Sequence, residues 1–153
     1  MGTQKFVAAG VAALSILASA PASAAGMSGA EKLRRLDIML MVTSLRCRTT
    51  ADNFQADYGQ FTSNHIDELN AASDTLKLDY SARFGAAGAN RAVDRLSVLM
   101  ANSYGQGHPW LSCADLRMVA HNLANVHGTA TLEEAADQLL ASSGSAQIAY
   151  ARR

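Results

Sequence analysis

The stretch SGAEKLRRLDIMLMVTSLRC, Ser28 to Cys47, decides the fold. Ser28 followed by Glu31 has the spacing of a capping box, in which a hydroxyl caps a free backbone N–H and the acid three residues on turns back towards the cap. Behind that start, Leu33, Leu36, Leu40 and Cys47 recur at helical spacing, which predicts a helix from about Gly29 to Arg48. Its middle, Ile38 to Val42, is apolar without interruption and is followed by Leu45, so this helix is expected at the centre of a bundle. Glu31 and Arg35 form an i,i+4 pair on its wetter first turn.

Outward from this helix the same start signal recurs at Thr49 with Asp52, Ser112 with Asp115 and Thr131 with Glu134. From Ala51, the residues Phe54, Tyr58, Phe61, Leu69, Ala72, Leu76 and Tyr80 follow steps of three and four, with His65 in the gap. The span 51–84 is therefore one long helix or two, the break then falling near Thr62-Ser63-Asn64 with Asn64 and Asp67 as cap. Gly85-Ala-Ala-Gly88 reads as a turn. A further helix over Ala89 to Tyr104 places Val93, Leu96, Met100 and Ser103 on one face and is stopped by Gly105, Gly107 and Pro109. Ser112 opens a helix carrying Leu116, Val119, Ala120, Leu123 and Val126, ended by Gly128. A short last helix carries Leu132, Ala135, Ala136, Leu139 and Leu140 and is expected to end at Ser142-Ser-Gly-Ser145, before a tail closing on Arg152-Arg153. The expected fold is all-α, a compact bundle of five or six helices.

Residues 1–24 read differently from the rest. Lys5 supplies a positive n-region, Phe6 to Leu17 is a small and apolar h-region, and Ala22-Ser-Ala24 after Pro21 is a small-x-small cleavage site. The expectation is a signal peptide over 1–24, cut before Ala25, leaving a single helical domain over 25–153 in the periplasm or outside the cell. The h-region is too short for a membrane span, which takes about 20 residues. The 153 residues hold 13 basic and 13 acidic side chains, and this neutrality argues against a nucleic-acid partner held by excess Lys and Arg. The two cysteines, Cys47 and Cys113, would meet an oxidising compartment after export, and their pairing as a disulfide is expected.

Few chemistries have a sequence basis. The glycine-rich piece Gly85 to Gly88 follows a helix and lacks both the third glycine of a dinucleotide fold and the Lys-Ser/Thr of a P-loop. His65, His108, His121 and His127 have no metal-ligand spacing, and CxxC, CxxCH and GxSxG do not occur. No cofactor and no metal are expected, and Met39 and Met41, two apart on a helix, read as packing residues. Two features point to contact with a partner. Tyr104-Gly-Gln-Gly-His108-Pro-Trp110 combines Gly, Pro, Tyr, His and the sole Trp in one inter-helix loop, which reads otherwise as Trp110 plugging the bundle end as a staple residue ahead of the Ser112 cap. Arg91, Arg95 and Asn102, with Arg83 before the turn, recur near helical spacing as an arginine stripe, which reads otherwise as a solvated face paired to Asp94 and Asp79.

The stretch Trp110-Leu-Ser-Cys113-Ala-Asp115-Leu116 resembles periplasmic acid-stress chaperones of the HdeA type, which are small, secreted, helical and carry one disulfide. The likeness covers these seven residues and the general plan, and departs in length, in cysteine spacing and in the lack of a Lys-rich tail. In plan the chain is also similar to small secreted bacterial helical proteins without an assigned activity. The functional expectation is a non-catalytic exported module that binds a protein or a small ligand, with Tyr104, His108, Trp110, Arg91 and Arg95 as candidate contacts. Its rival is a small hydrolase or ligand-binding bundle that uses Asp and His residues from different helices.

Overall fold

A computed structural model describes residues 26–150, with side chains described through 140. The expected signal peptide and the Arg152-Arg153 tail lie outside the described residues. Five helices follow in order: α1 (Gly29–Cys47), α2 (Gln55–Asn64), α3 (Ile66–Tyr104), α4 (Cys113–Ala124) and α5 (Thr129–Tyr150). Among the described residues there is no strand. No helix among them is long and apolar enough to cross a membrane.

Helix α1 packs against all four others, in line with its apolar sequence. Leu33, Leu36, Ile38, Met39, Leu40 and Cys47 are buried, while Met41 and Leu45 stay exposed, so the central helix is left open along one narrow stripe. Thr43 and Ser44 are also buried. Their hydroxyls donate to the Met39 and Met41 carbonyls at 2.7 and 2.8 Å, so neither enters the core unsatisfied.

The capping patterns divide into two groups. Ser28 accepts from the Glu31 N–H, and Ser112 with Asp115 forms a complete reciprocal box at the start of α4. The Thr49–Asp52 pattern does not start a helix. There the Thr50 hydroxyl donates to the Cys47 carbonyl and accepts from the Asp52 N–H, building a turn that delays α2 to Gln55. The Thr131–Glu134 pattern falls inside α5, which begins two residues earlier, and the Thr131 hydroxyl returns to the His127 carbonyl.

The region 51–84 is two helices, broken at His65, directly after the expected Thr62-Ser63-Asn64 site. Two side chains at this break reach α4. Asn64 Nδ2 donates to the Ala124 carbonyl at 2.7 Å, and His65 Nε2 lies 2.8 Å from the Leu123 carbonyl. The last carbonyls of a helix have no partner within it, so these two side chains supply contacts at the end of α4 and tie the break to it. Asn64 thus caps another helix instead of starting its own.

The expected Gly85–Gly88 turn is narrower than four residues. Gly85 alone leaves helical geometry, at φ 73° and ψ 165°, and α3 continues on both sides of it as a kinked rod. An L-residue avoids this region because its Cβ would meet the backbone, whereas glycine does not. Past Tyr104 helix α3 stops as anticipated, with the Gly107 N–H, at φ 108°, donating to the Tyr104 carbonyl. Helix α5 does not stop at Ser142 but runs to Tyr150. Serines and a single glycine disfavour a helix only weakly, and no proline stands there to end it. Cys47 and Cys113 form the expected disulfide, Cα to Cα 5.8 Å, joining the end of α1 to the start of α4.

Candidate functional site

The kink in α3 opens a cleft of about 660 Å³ between α1 and the two arms of α3. Tyr80, Arg83 and Phe84 come from the arm before Gly85, and Gly88, Arg91 and Arg95 from the arm after it. Helix α1 adds Glu31 and Arg35, and Leu96 and Leu99 add apolar surface. A straight α3 would not turn its two arms towards one concavity, so the glycine that breaks the helix is also what shapes the site.

Four of these lining residues are arginines and one is a glutamate, so the cleft is strongly positive inside a chain of zero net charge. Arg35 is held internally, its Nη2 2.7 Å from Glu31 Oε1 in the i,i+4 pair that the sequence anticipates. Arg83 lies over the Phe84 ring, Cζ 5.0 Å from the ring centre. Arg91 and Arg95 have no ion-pair partner among the described residues; the expected pairing with Asp94 and Asp79 is not formed. The two project one turn apart from the same face.

Apolar surface accompanies this charge. Phe84 is 54% exposed and Leu99 57%, both high values for such residues beside a concavity. Phe84 has room because position 88 is glycine, where a Cβ would come within 2.7 Å of the Phe84 Cβ. Burial, and secondarily the Glu31 charge, holds the Tyr80 phenol above its ordinary pKa, so it presents a neutral hydroxyl. Sequence spacing singles out Arg83, Arg91 and Arg95. It gives no sign of Arg35, Tyr80 or Phe84 as partners, because they meet only once α1 has packed on a bent α3.

The other candidate contacts lie elsewhere, at the end of α3. Tyr104 is 2% exposed and His108 is buried against it, ring centres 5.5 Å apart; Trp110 stands edge-on to His108 at 4.2 Å and is 41% exposed. Of the three, Trp110 is the one that offers area to a partner. His108 Nδ1 accepts from the Leu111 N–H, which leaves Nε2 as the protonated nitrogen donating to the Leu139 carbonyl at 3.3 Å. The imidazole therefore ties the loop to α5 in its neutral form.

Burial pushes the His108 pKa below the ordinary value of 6.5, against the opposing pull of the Leu139 hydrogen bond. The unfolded chain then takes up a proton that the folded chain refuses. This contribution to stability is complete above about pH 6.5 and is lost as the pH falls below it towards the folded-state pKa. Urea unfolding at pH 7.5 and 5.5 is expected to show lower stability at the acid value, with a smaller difference in His108→Gln. An identical difference in the variant would place the proton uptake on another group.

Two further polar clusters are built from residues with no sequence motif. In one, the Asp37 carboxylate accepts from the Tyr58 hydroxyl at 2.9 Å beside Arg34, whose Nη2 donates to Ser97, so α1, α2 and α3 are joined by one network. Burial raises the Asp37 pKa despite the Tyr58 hydrogen bond and the Arg34 charge, and it raises that of Tyr58, with the Asp37 charge adding to the effect. In the other, His121 Nδ1 lies 3.2 Å from Asp57 Oδ1 in a shallow depression of about 250 Å³ shared with Arg117, Met118 and Asn122. This is the Asp–His pair from different helices that the hydrolase expectation requires. Among the described residues no group of three or more His, Cys, Asp or Glu is placed to hold a metal ion. The chain matches no protein-family model, no curated protein and no solved structure.

Proposed function

We propose that this protein is an exported, non-catalytic binding module whose arginine-lined cleft at the α3 kink receives an anionic partner. The observation that carries this reading is the set Arg83, Arg91 and Arg95, gathered in one concavity and without an ion-pair partner among the described residues. Like charges brought together repel one another, and an anion bridging them offsets that repulsion while supplying acceptors for the guanidinium N–H groups. Export rests on the 1–24 segment and agrees with a disulfide-linked bundle, since such bonds persist in oxidising compartments.

The Asp57–His121 pair supports a second reading, acid–base catalysis, less well. His121 is largely exposed, and no serine or cysteine nucleophile lines its depression. Trp110, Cys113 and Asp115, which carry the likeness to acid-stress chaperones, are engaged in a ring contact, the disulfide and the α4 cap.

Thermal unfolding in phosphate against chloride at equal ionic strength tests the binding reading. A ligand at ten times its Kd stabilises the folded state by about 1.4 kcal/mol. Phosphate is expected to raise Tm in the native protein and not in the double variant Arg91→Gln, Arg95→Gln. If phosphate, sulfate and citrate all leave Tm unmoved, the cleft is not an anion site.

A further inference from the structure

We propose that the natural ligand of the cleft is a phosphate-bearing amphiphile, bound as a single molecule with its phosphate on Arg83, Arg91 and Arg95 and its apolar part over Phe84 and Leu99. This rests on the anion-binding reading above and adds the ligand's class. Three observations select it.

The first is charge. With Arg35 neutralised by Glu31, three guanidinium groups remain in the cleft. One carboxylate would offset a single positive charge, whereas a phosphate monoester carries about −1.5 to −2 at pH 7 and presents three acceptor oxygens. Arg91 and Arg95 one turn apart, with Arg83 across the kink, supply donors from separate directions to such a group.

The second is the apolar surface next to that charge. Phe84 and Leu99 belong to the same cleft as the arginines, and both are more than half exposed. Inorganic phosphate, or a sugar phosphate with polar substituents, would leave both in water. An alkyl or aryl portion continuous with the phosphate covers them and takes their apolar surface out of water.

The third is shape. A volume of about 660 Å³ lies within the range of pockets that enclose one small molecule, about 300–1,000 Å³. The residues that would take the phosphate and those that would take the chain line one concavity, which suits a single molecule better than a flat bilayer surface. The bend at Gly85 makes both arms of α3 part of one binding surface, so a ligand spanning the kink contacts each of them.

Titration of the purified protein with dodecyl phosphate below its aggregation concentration tests the proposal, with inorganic phosphate and dodecyl maltoside as comparisons. Saturable one-to-one binding is expected, at least tenfold tighter for dodecyl phosphate than for either comparison. Arg91→Gln with Arg95→Gln is expected to weaken it at least tenfold. Phe84→Ser with Leu99→Ser is expected to weaken dodecyl phosphate similarly and inorganic phosphate by a much smaller factor, Arg83 losing only its ring contact. All four side chains are exposed, so these variants retain the core. A photoreactive alkyl phosphate on the unmutated protein gives a second measurement, expected to label residues 80–99.

Equal affinity for dodecyl and inorganic phosphate would overturn the amphiphile while leaving anion binding intact. Equal affinity for dodecyl maltoside would overturn the phosphate. Labelling outside the cleft would overturn the location. Sedimentation with phosphatidic acid vesicles, without binding of the monomeric probe, would overturn the single-molecule mode in favour of membrane-surface attachment.

Discussion

Replacing both Cys47 and Cys113 by alanine is expected to lower the unfolding free energy by about 4 kcal/mol. The bond spans 66 positions, and the chain-entropy model assigns a closed loop of this size about that much destabilisation of the unfolded state. For a domain that folds with roughly 5–15 kcal/mol this is a large share. Tm should fall by more than 10 °C, at a few degrees per kcal/mol for a chain of this size. Reductant should produce the same loss in the native protein and none in the double variant. Because the reduced chain unfolds to a more expanded ensemble, its urea m-value should also rise. Two free thiols in the denatured, unreduced protein would remove the basis of the expectation.

Phe61→Ala is expected to cost about 3–5 kcal/mol, the ordinary range for emptying a fully buried phenylalanine site. Phe61 is one of the few large side chains by which the short helix α2 enters the core, together with Phe54 just before its start. Its ring also lies 5.2 Å from that of His65, the residue that reaches the Leu123 carbonyl. Truncation should therefore loosen the cap on α4 as well as leave a cavity. Faster amide exchange is expected over both α2 and the end of α4. Phe61→Leu, which keeps much of the volume, should recover most of the stability. A loss below about 1 kcal/mol for the alanine variant would mean that the ring contributes little to the core.

The fold class was legible where local chemistry and long-range packing agree. Ser28 and Ser112 cap the helices that their spacing marks, and Gly107 stops α3 where the loop signals cluster. The same pattern at Thr49 fails because its neighbour Thr50 finds a closer backbone partner in the turn after α1. His65 breaks a continuous apolar rhythm for a reason held in α4, nearly 60 residues away. The candidate site was legible in part. Arg91 and Arg95 announce themselves by spacing on one helix. Arg35, Tyr80 and Phe84 join them through one glycine torsion and the docking of α1, neither of which leaves a periodic trace.

The fastening of α4 bears on synthesis. Its first residue is tied to Cys47 and its last two carbonyls to Asn64 and His65, partners that precede it by 66, 60 and 58 positions. A polypeptide emerging N-terminus first presents one thiol, one amide and one imidazole well before the segment they hold. Until residues 113–124 arrive, those three groups lack their structural partners, and α1 lacks part of the cover over its apolar surface. The interval during which the Cys47 thiol can meet the wrong sulfur is therefore set by the length of chain between the two cysteines, not by the rate at which any helix forms.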